Sequence, residues 1–119
     1  MASYLPLFRP GDTVTFNVTA AVIGGQAVEV GATDMSVAPA AAGSAKYVGV
    51  AGYDAAVGDK LTVEIGKPIH ELKATGAITR GQKLETAAAG TVRTVAEGDA
   101  VFLALTSAAD GALVRALQL

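Results

Sequence analysis

Thr13-Val-Thr-Phe-Asn-Val18 alternates without a break, with Val14, Phe16 and Val18 on one side and Thr13, Thr15 and Asn17 on the other. Lys60-Leu-Thr-Val-Glu-Ile65 does the same, setting Leu61, Val63 and Ile65 against Lys60, Thr62 and Glu64. Successive side chains of an extended chain point to opposite faces, so a period of two marks a strand half buried against a core. Weaker signals of the same kind place strands at 27–30, 46–51, 69–73, 83–86, 91–95, 101–106 and 113–118. Between them glycine recurs too often for long helices, since each glycine inside a helix costs about 1 kcal/mol relative to alanine. Pro39 and Gly43 confine the alanine-rich 38–42 stretch to a turn, and Gly111 makes 107–119 a turn followed by a strand. The chain reads as all-β, a small barrel or sandwich, with Val14, Phe16, Val18, Leu61, Val63, Ile65, Val101, Leu103 and Leu105 expected in its core.

A phrase of the form Gly-[Asp/Gln]-x-[Val/Leu] occurs five times, beginning at Gly11, Gly25, Gly58, Gly81 and Gly98. Glycine admits positive φ and Asp bonds nearby backbone, so each phrase reads as a turn feeding a strand. The aspartates are not spaced as the oxygen ligands of a compact calcium loop.

Longer self-similarity divides the chain. Thr19-Ala-Ala-Val-Ile-Gly-Gly-Gln-Ala-Val-Glu29 aligns with Thr75-Gly-Ala-Ile-Thr-Arg-Gly-Gln-Lys-Leu-Glu85, an offset of 56. Val48-x-x-Ala51-x-x-x-Ala55-Ala56-x-Gly58 aligns with Val101-x-x-Ala104-x-x-x-Ala108-Ala109-x-Gly111, an offset of 53. The same phrases in the same order indicate a duplicated β unit, about residues 11–66 and 67–119. Two copies are too few for a solenoid, so the halves are expected to close on each other within one β domain, residues 11–119.

Composition narrows the function. At 119 residues, 51% hydrophobic and 17% charged, the chain is long enough for one modest core and too apolar for disorder. Nine basic residues against eleven acidic ones leave a net charge of −2, and the basic ones are scattered, so no nucleic-acid partner is expected. No apolar run approaches the ~20 residues of a membrane helix, and the first residues do not read as a secretory signal. Cysteine is absent, which excludes disulfides and thiolate metal sites. No catalytic, cofactor or metal residues emerge. His70 is the single histidine and reads as a strand residue with a backbone or solvent partner. The four serines lack a nucleophile setting, and the glycine pairs are not phosphate loops.

Ahead of the first strand stands Tyr4-Leu5-Pro6-Leu7-Phe8-Arg9-Pro10, with two of the six aromatic residues and two leucines bracketed by prolines. Proline prevents helix and favours an extended chain. Residues 1–10 therefore read as an arm that covers the protein's own core or docks on a partner, with little entropy to lose on docking.

The Pro10-Gly-Asp-Thr-Val-Thr15 opening, Val48-Gly-Val-Ala51 with Ala55-Ala56-x-Gly58-Asp59, Ala77-Ile78-x-x-Gly81, and the ending Ala104-Leu-Thr-Ser-Ala-Ala-Asp-Gly-Ala-Leu-Val114 resemble the decoration, or capsid cement, proteins of tailed-phage heads. The resemblance runs over nearly the whole chain. It implies a compact β protein without enzymatic activity, made in the host cytoplasm. It also implies a homotrimer on the outer surface of the expanded capsid, bridging subunits of the major capsid protein. The arm residues Tyr4, Leu5, Pro6, Leu7, Phe8 and Arg9 are then the expected capsid contacts. An alternative is a lipoyl- or biotinyl-type carrier domain, which needs a lysine at a hairpin tip. Lys60 is the nearest candidate, but alternation places it on a strand.

Overall fold

The computed structural model describes residues 12–119, folded into ten strands and one 3-10 turn. The first half holds β1 (Thr13–Val18), β2 (Ala27–Val30), β3 (Ser36–Pro39), β4 (Tyr47–Ala51) and β5 (Lys60–Glu64). The second holds β6 (Ile69–Lys73), β7 (Lys83–Thr86), the 3-10 turn (Ala88–Gly90), β8 (Val92–Thr94), β9 (Phe102–Ala104) and β10 (Leu113–Gln118). The fold is all-β, as the alternation requires.

The two strongest alternating stretches are each other's partners. β1 and β5 pair antiparallel from Thr13↔Glu64 to Asn17↔Lys60, so Val14, Val18, Leu61 and Val63 face one interior together. That pairing closes a barrel in the order β1-β3-β2-β4-β5. Closure thus occurs within the first half rather than between halves, because β5 returns to β1 before the chain leaves residue 64.

The second half repeats the connections. Its sheet runs β6-β10-β9-β7-β8, and β8 returns to the end of β6 through one parallel bridge, Ala74↔Val92. The matching contact of the first half is the parallel pair Val18↔Val37. Likewise the bridge Val22↔Ala55 has its counterpart in Ile78↔Ala108, displaced by the same 56 and 53 residues that align the sequence. Gly25, Gly58 and Gly81 hold φ near +90° in the turns of their phrases, a region only glycine enters without strain. Their polar neighbours close those turns: Gln26, Asp59 and Gln82 accept from the backbone N–H three residues back, at Ile23, Ala56 and Thr79.

Two clusters form the core. Val18, Val22, Val28, Val37, Ala51, Leu61 and Val63 fill the barrel, with Phe16 and Ile65 half-buried against them. Leu72, Leu84, Val92, Phe102, Val114 and Ala116 form the core of the five-stranded sheet, joined by Val50 of the first half. The halves are sewn together by polar groups. Buried Gln118 accepts from the Tyr47 hydroxyl at 2.7 Å and donates to the carbonyls of Gly66 at 2.8 Å and Glu64 at 3.3 Å. Thr86 donates to Ala41 O at 2.8 Å and accepts from Ser44 N at 2.9 Å. Burial pushes the Tyr47 phenol well above its ordinary pKa, so its hydroxyl stays a donor.

Two expectations fail locally. In β9 the inward residues are Phe102 and Ala104, whereas Val101 and Leu103 are half-buried and Leu105 is exposed. The run Val101-Phe-Leu-Ala-Leu105 is apolar on both faces, so alternation cannot fix its phase, and packing of the Phe102 ring decides it. The 38–42 turn begins later than expected, because Ser36–Pro39 is β3. Pro39 occupies the last position of that strand, where its missing N–H costs no ladder bond within it.

Candidate contact surfaces

The expected contact residues Tyr4, Leu5, Pro6, Leu7, Phe8 and Arg9 lie outside the described residues. Asp12 is the first described, and its carbonyl accepts from Ile65 N at 3.0 Å and Gly66 N at 3.3 Å. It lines a shallow cleft with Glu64, Gly66, Lys67 and Pro68. The chain therefore enters β1 beside the linker between the halves, next to the start of β6.

The outward face of β6, β10 and β9 carries exposed Ile69 and Leu113 among partly exposed Leu103 and Leu117. Cross-strand register sets Ile69 beside Leu117 and Leu117 beside Leu103. Leu113 lies opposite Lys73, and Arg115 lies opposite Glu71 with an ion pair at 3.5 Å. Ile69 and Leu113 are each 60% exposed, Leu119 48% and Leu105 41%. The sequence signal for this face was the alternation of 113–118, but every odd residue there is apolar or charged and every even one is inward, so pattern alone did not expose it. Beyond Leu113 a cleft of about 350 Å³ separates the face from the Ile23–Gln26 turn of the first half. Ile23, 62% exposed, and Ala89, at φ +55°, also line it.

The remaining polar residues do structural work. His70 points inward, its Nε2 3.2 Å from Gln118 Oε1 and its ring edge-on to Phe102. Burial lowers its pKa, with Gln118 acting the other way, so the imidazole is neutral at pH 7. Its protein partner is therefore a side chain rather than the backbone. Lys60 begins β5, opposite Asn17 and bonded to that side chain, rather than standing at a hairpin tip.

The aligned residues Glu29 and Glu85 hold corresponding loops. Glu85 is fully buried in β7 and accepts from Ala96 N at 2.8 Å, Gly98 N at 2.7 Å and Arg93 Nε at 3.1 Å. The Ala96 amide above all, against burial and helped by Arg93 and Gly98, holds its carboxyl below the usual range. Glu29 accepts from Ala41 N at 2.9 Å and pairs with Lys46 at 3.7 Å. Burial pushes its pKa up, but the Ala41 amide, Ser44 and Lys46 together bring it down. Each carboxylate thus pins the loop that follows its third strand. Among the described residues no group of three or more His, Asp or Glu side chains could hold a metal ion.

Comparison with known proteins gives this arrangement a family. The chain matches the phage cement proteins over residues 8–118. Among solved structures it resembles the N base of the head fiber gp8.5 in bacteriophage phi29, with a TM-score of 0.72 and 21% identity. That likeness covers 90% of this chain and 92% of the other, and at this identity it speaks for the fold. None of the curated proteins matches the chain. A match over nearly every residue of both halves is decisive for membership: the chain belongs to the phage cement protein family, structural proteins associated with phage capsids.

Proposed function

We propose that this protein decorates the outer surface of a mature tailed-phage head and stabilises it by bridging neighbouring subunits of the major capsid protein. The carrying observation is the family match over residues 8–118. The fold fits the task. Its contacts among the described residues hold a rigid double β unit together, and Lys60 is placed on a strand where a swinging-arm carrier needs a tip. In this reading residues 11–119 act as one β domain and residues 1–10 as the arm that reaches the capsid, with Tyr4, Leu5, Leu7 and Phe8 as its apolar contacts and Arg9 beside them. A ligand that binds the expanded lattice and not the unexpanded shell stabilises the former by mass action. A homotrimer would let each arm bind weakly, because the first contact raises the effective concentration of the others.

Deleting residues 2–9 tests the arm. Each apolar side chain contributes up to ~1.5–3 kcal/mol on burial, and fixing the backbone costs ~1–2 kcal/mol per residue, reduced at Pro6 and Pro10. The truncated protein is expected to melt like the full chain and to fail to co-sediment with capsids stripped of it. Full binding by a stable truncation would refute the arm as anchor. Loss of folding would assign Leu7 and Phe8 to the protein's own core.

A further inference from the structure

Among the described residues, β6 has an unpaired edge. Residues of a strand turn their backbone N–H and C=O to its two sides alternately. Gln118 N donates to Pro68 O and Ala74 N to Ala112 O, so the even residues of β6 face β10. Ile69 and Glu71 therefore turn their backbone groups the other way, where no described strand pairs with them. β8 reaches that edge only at Ala74↔Val92. The chain enters at the near end of the same edge. Gln118 Nε2 also donates to the carbonyls of Glu64 and Gly66, which thus share β10's side with that of Pro68. Asp12 lies on the opposite side, where its carbonyl accepts from both Ile65 N and Gly66 N. At the far end, just short of β8, opens the cleft lined by Glu71, Lys73, Leu113 and Ile23.

We propose that this edge is the seat of the protein's own arm in the free chain: residues 5–9, which lie outside the described residues, add to β6 as an antiparallel strand, with Arg9 opposite Ile69 and Leu7 opposite Glu71. Two observations set that register. Asp12 O serves two amides, so one residue of the entering chain faces two of the other, as in a β-bulge, and the pairing that runs through Thr13↔Glu64 steps by one. Counting back from Asp12 opposite Gly66 sets Arg9 against Ile69 and Leu7 against Glu71. The prolines agree. A residue paired with Ile69 or Glu71 needs its own N–H on the β6 side, and here those residues are Arg9 and Leu7, while Pro6 and Pro10 turn their missing N–H outward. Without the step Pro6 would face Glu71 and leave the ladder a donor short. Five residues at ~3.4 Å span ~17 Å, from Asp12 and Gly66 to Leu7 and Glu71. Leu5, the next residue on that face, then arrives at the cleft beside Leu113 and Ile23, and Arg9 stands diagonal to Glu71. An open strand edge is a template for any extended chain, and a tethered one reaches it first. Neither core cluster contains Ile69, Glu71 or Lys73, so the fold stands with the edge empty. The seat goes beyond the capsid reading and does not rest on it: it is where the arm lies before a capsid competes for it.

The test is residue-resolved amide exchange by NMR, on the full chain and on the chain lacking residues 2–9, with no capsids present. The Ile69 and Glu71 amides are expected to exchange about tenfold more slowly in the full chain. Those of His70 and Leu72, on the β10 side, should stay slow in both and report that the sheet is intact. Leu7→Pro removes an N–H directed at Glu71 O and should lose most of the protection. Phe8→Pro, at an amide turned away from β6, should keep most of it. Equal exchange at Ile69 and Glu71 with and without the arm would overturn the proposal, as would Leu7→Pro and Phe8→Pro acting alike. Protection that grows with protein concentration would also overturn it, by assigning the seat to a segment of another copy. The capsid reading fails separately, through full co-sedimentation of the truncated chain.

Discussion

Phe102 is the residue on which the strand phase of the second half turns, and replacing it with alanine measures that directly. The ring is fully buried, 5.3 Å from the Tyr47 ring and 6.3 Å from that of His70, both edge-on, and it touches the cluster of Leu72, Leu84 and Val114. Removing a buried phenylalanine forfeits its transfer free energy and leaves a cavity, about 3–5 kcal/mol together. The edge-on aromatic contacts account for part of this, roughly 0.5–1.5 kcal/mol each. For a chain of this length the melting temperature should fall by about 12–20 °C. Leu103→Ala, one residue along and on the opposite face, should cost under about 1 kcal/mol in the dilute protein. Differential scanning calorimetry of both variants at the same low concentration supplies the comparison. A fall below about 4 °C for Phe102→Ala, or an equal fall for Leu103→Ala, would refute the assigned phase and with it the outward aliphatic face.

Gly49 lies beside the β4–β5 pairing, and an added Cβ would collide with Glu64 O and stand 2.8 Å from Val63 Cγ1. Gly49→Ala should therefore cost about 1–3 kcal/mol or more from overpacking alone, read by urea denaturation. At Gly81 nothing lies within 4 Å but φ is +90°, so Gly81→Ala should cost about 1–2 kcal/mol through the backbone. Acid should destabilise the protein in two stages. Burial disfavours the His70 cation, so its contribution is present above the ordinary histidine pKa of about 6.5 and is lost as pH falls below it. Glu29 and Glu85 have lowered pKa values, so theirs is present above about 4.3 and is lost as pH falls through that range and beneath. Melting temperatures from pH 8 to 3 should show both stages, His70→Gln should abolish the first while keeping the second, and a single acid transition unaffected by that substitution would contradict the assignment.

Local alternation was enough for most of the strands, because the period of two is imposed by the extended backbone itself. Residues 69–73, 83–86 and 113–118 are strands over those same spans, and the stretches beginning at Thr13 and Lys60 pair with each other. The offsets of 56 and 53 were likewise legible, since equivalent turns demand equivalent residues: Gly25 and Gly81, Gln26 and Gln82, Glu29 and Glu85 recur because each makes the same backbone bond in each half. Other features were decided only by what lies across the core. Phase in 101–105 depended on which side offered room for a ring, and a run apolar on both sides carries no record of that. β3 escaped notice because Ser36-Val-Ala-Pro39 alternates weakly and ends in proline, and its strand character comes from its neighbours on either side, β2 at Val28↔Pro39, Glu29↔Ala38 and Val30↔Val37 and β1 at Asn17↔Ser36 and Val18↔Val37. Barrel closure within one half, the burial of Val50 under the other, and the exposure of Ile69 and Leu113 arise at the same level. A residue's alternation says that it has an inner or an outer side; only the assembled sheets determine whether anything is there to meet it.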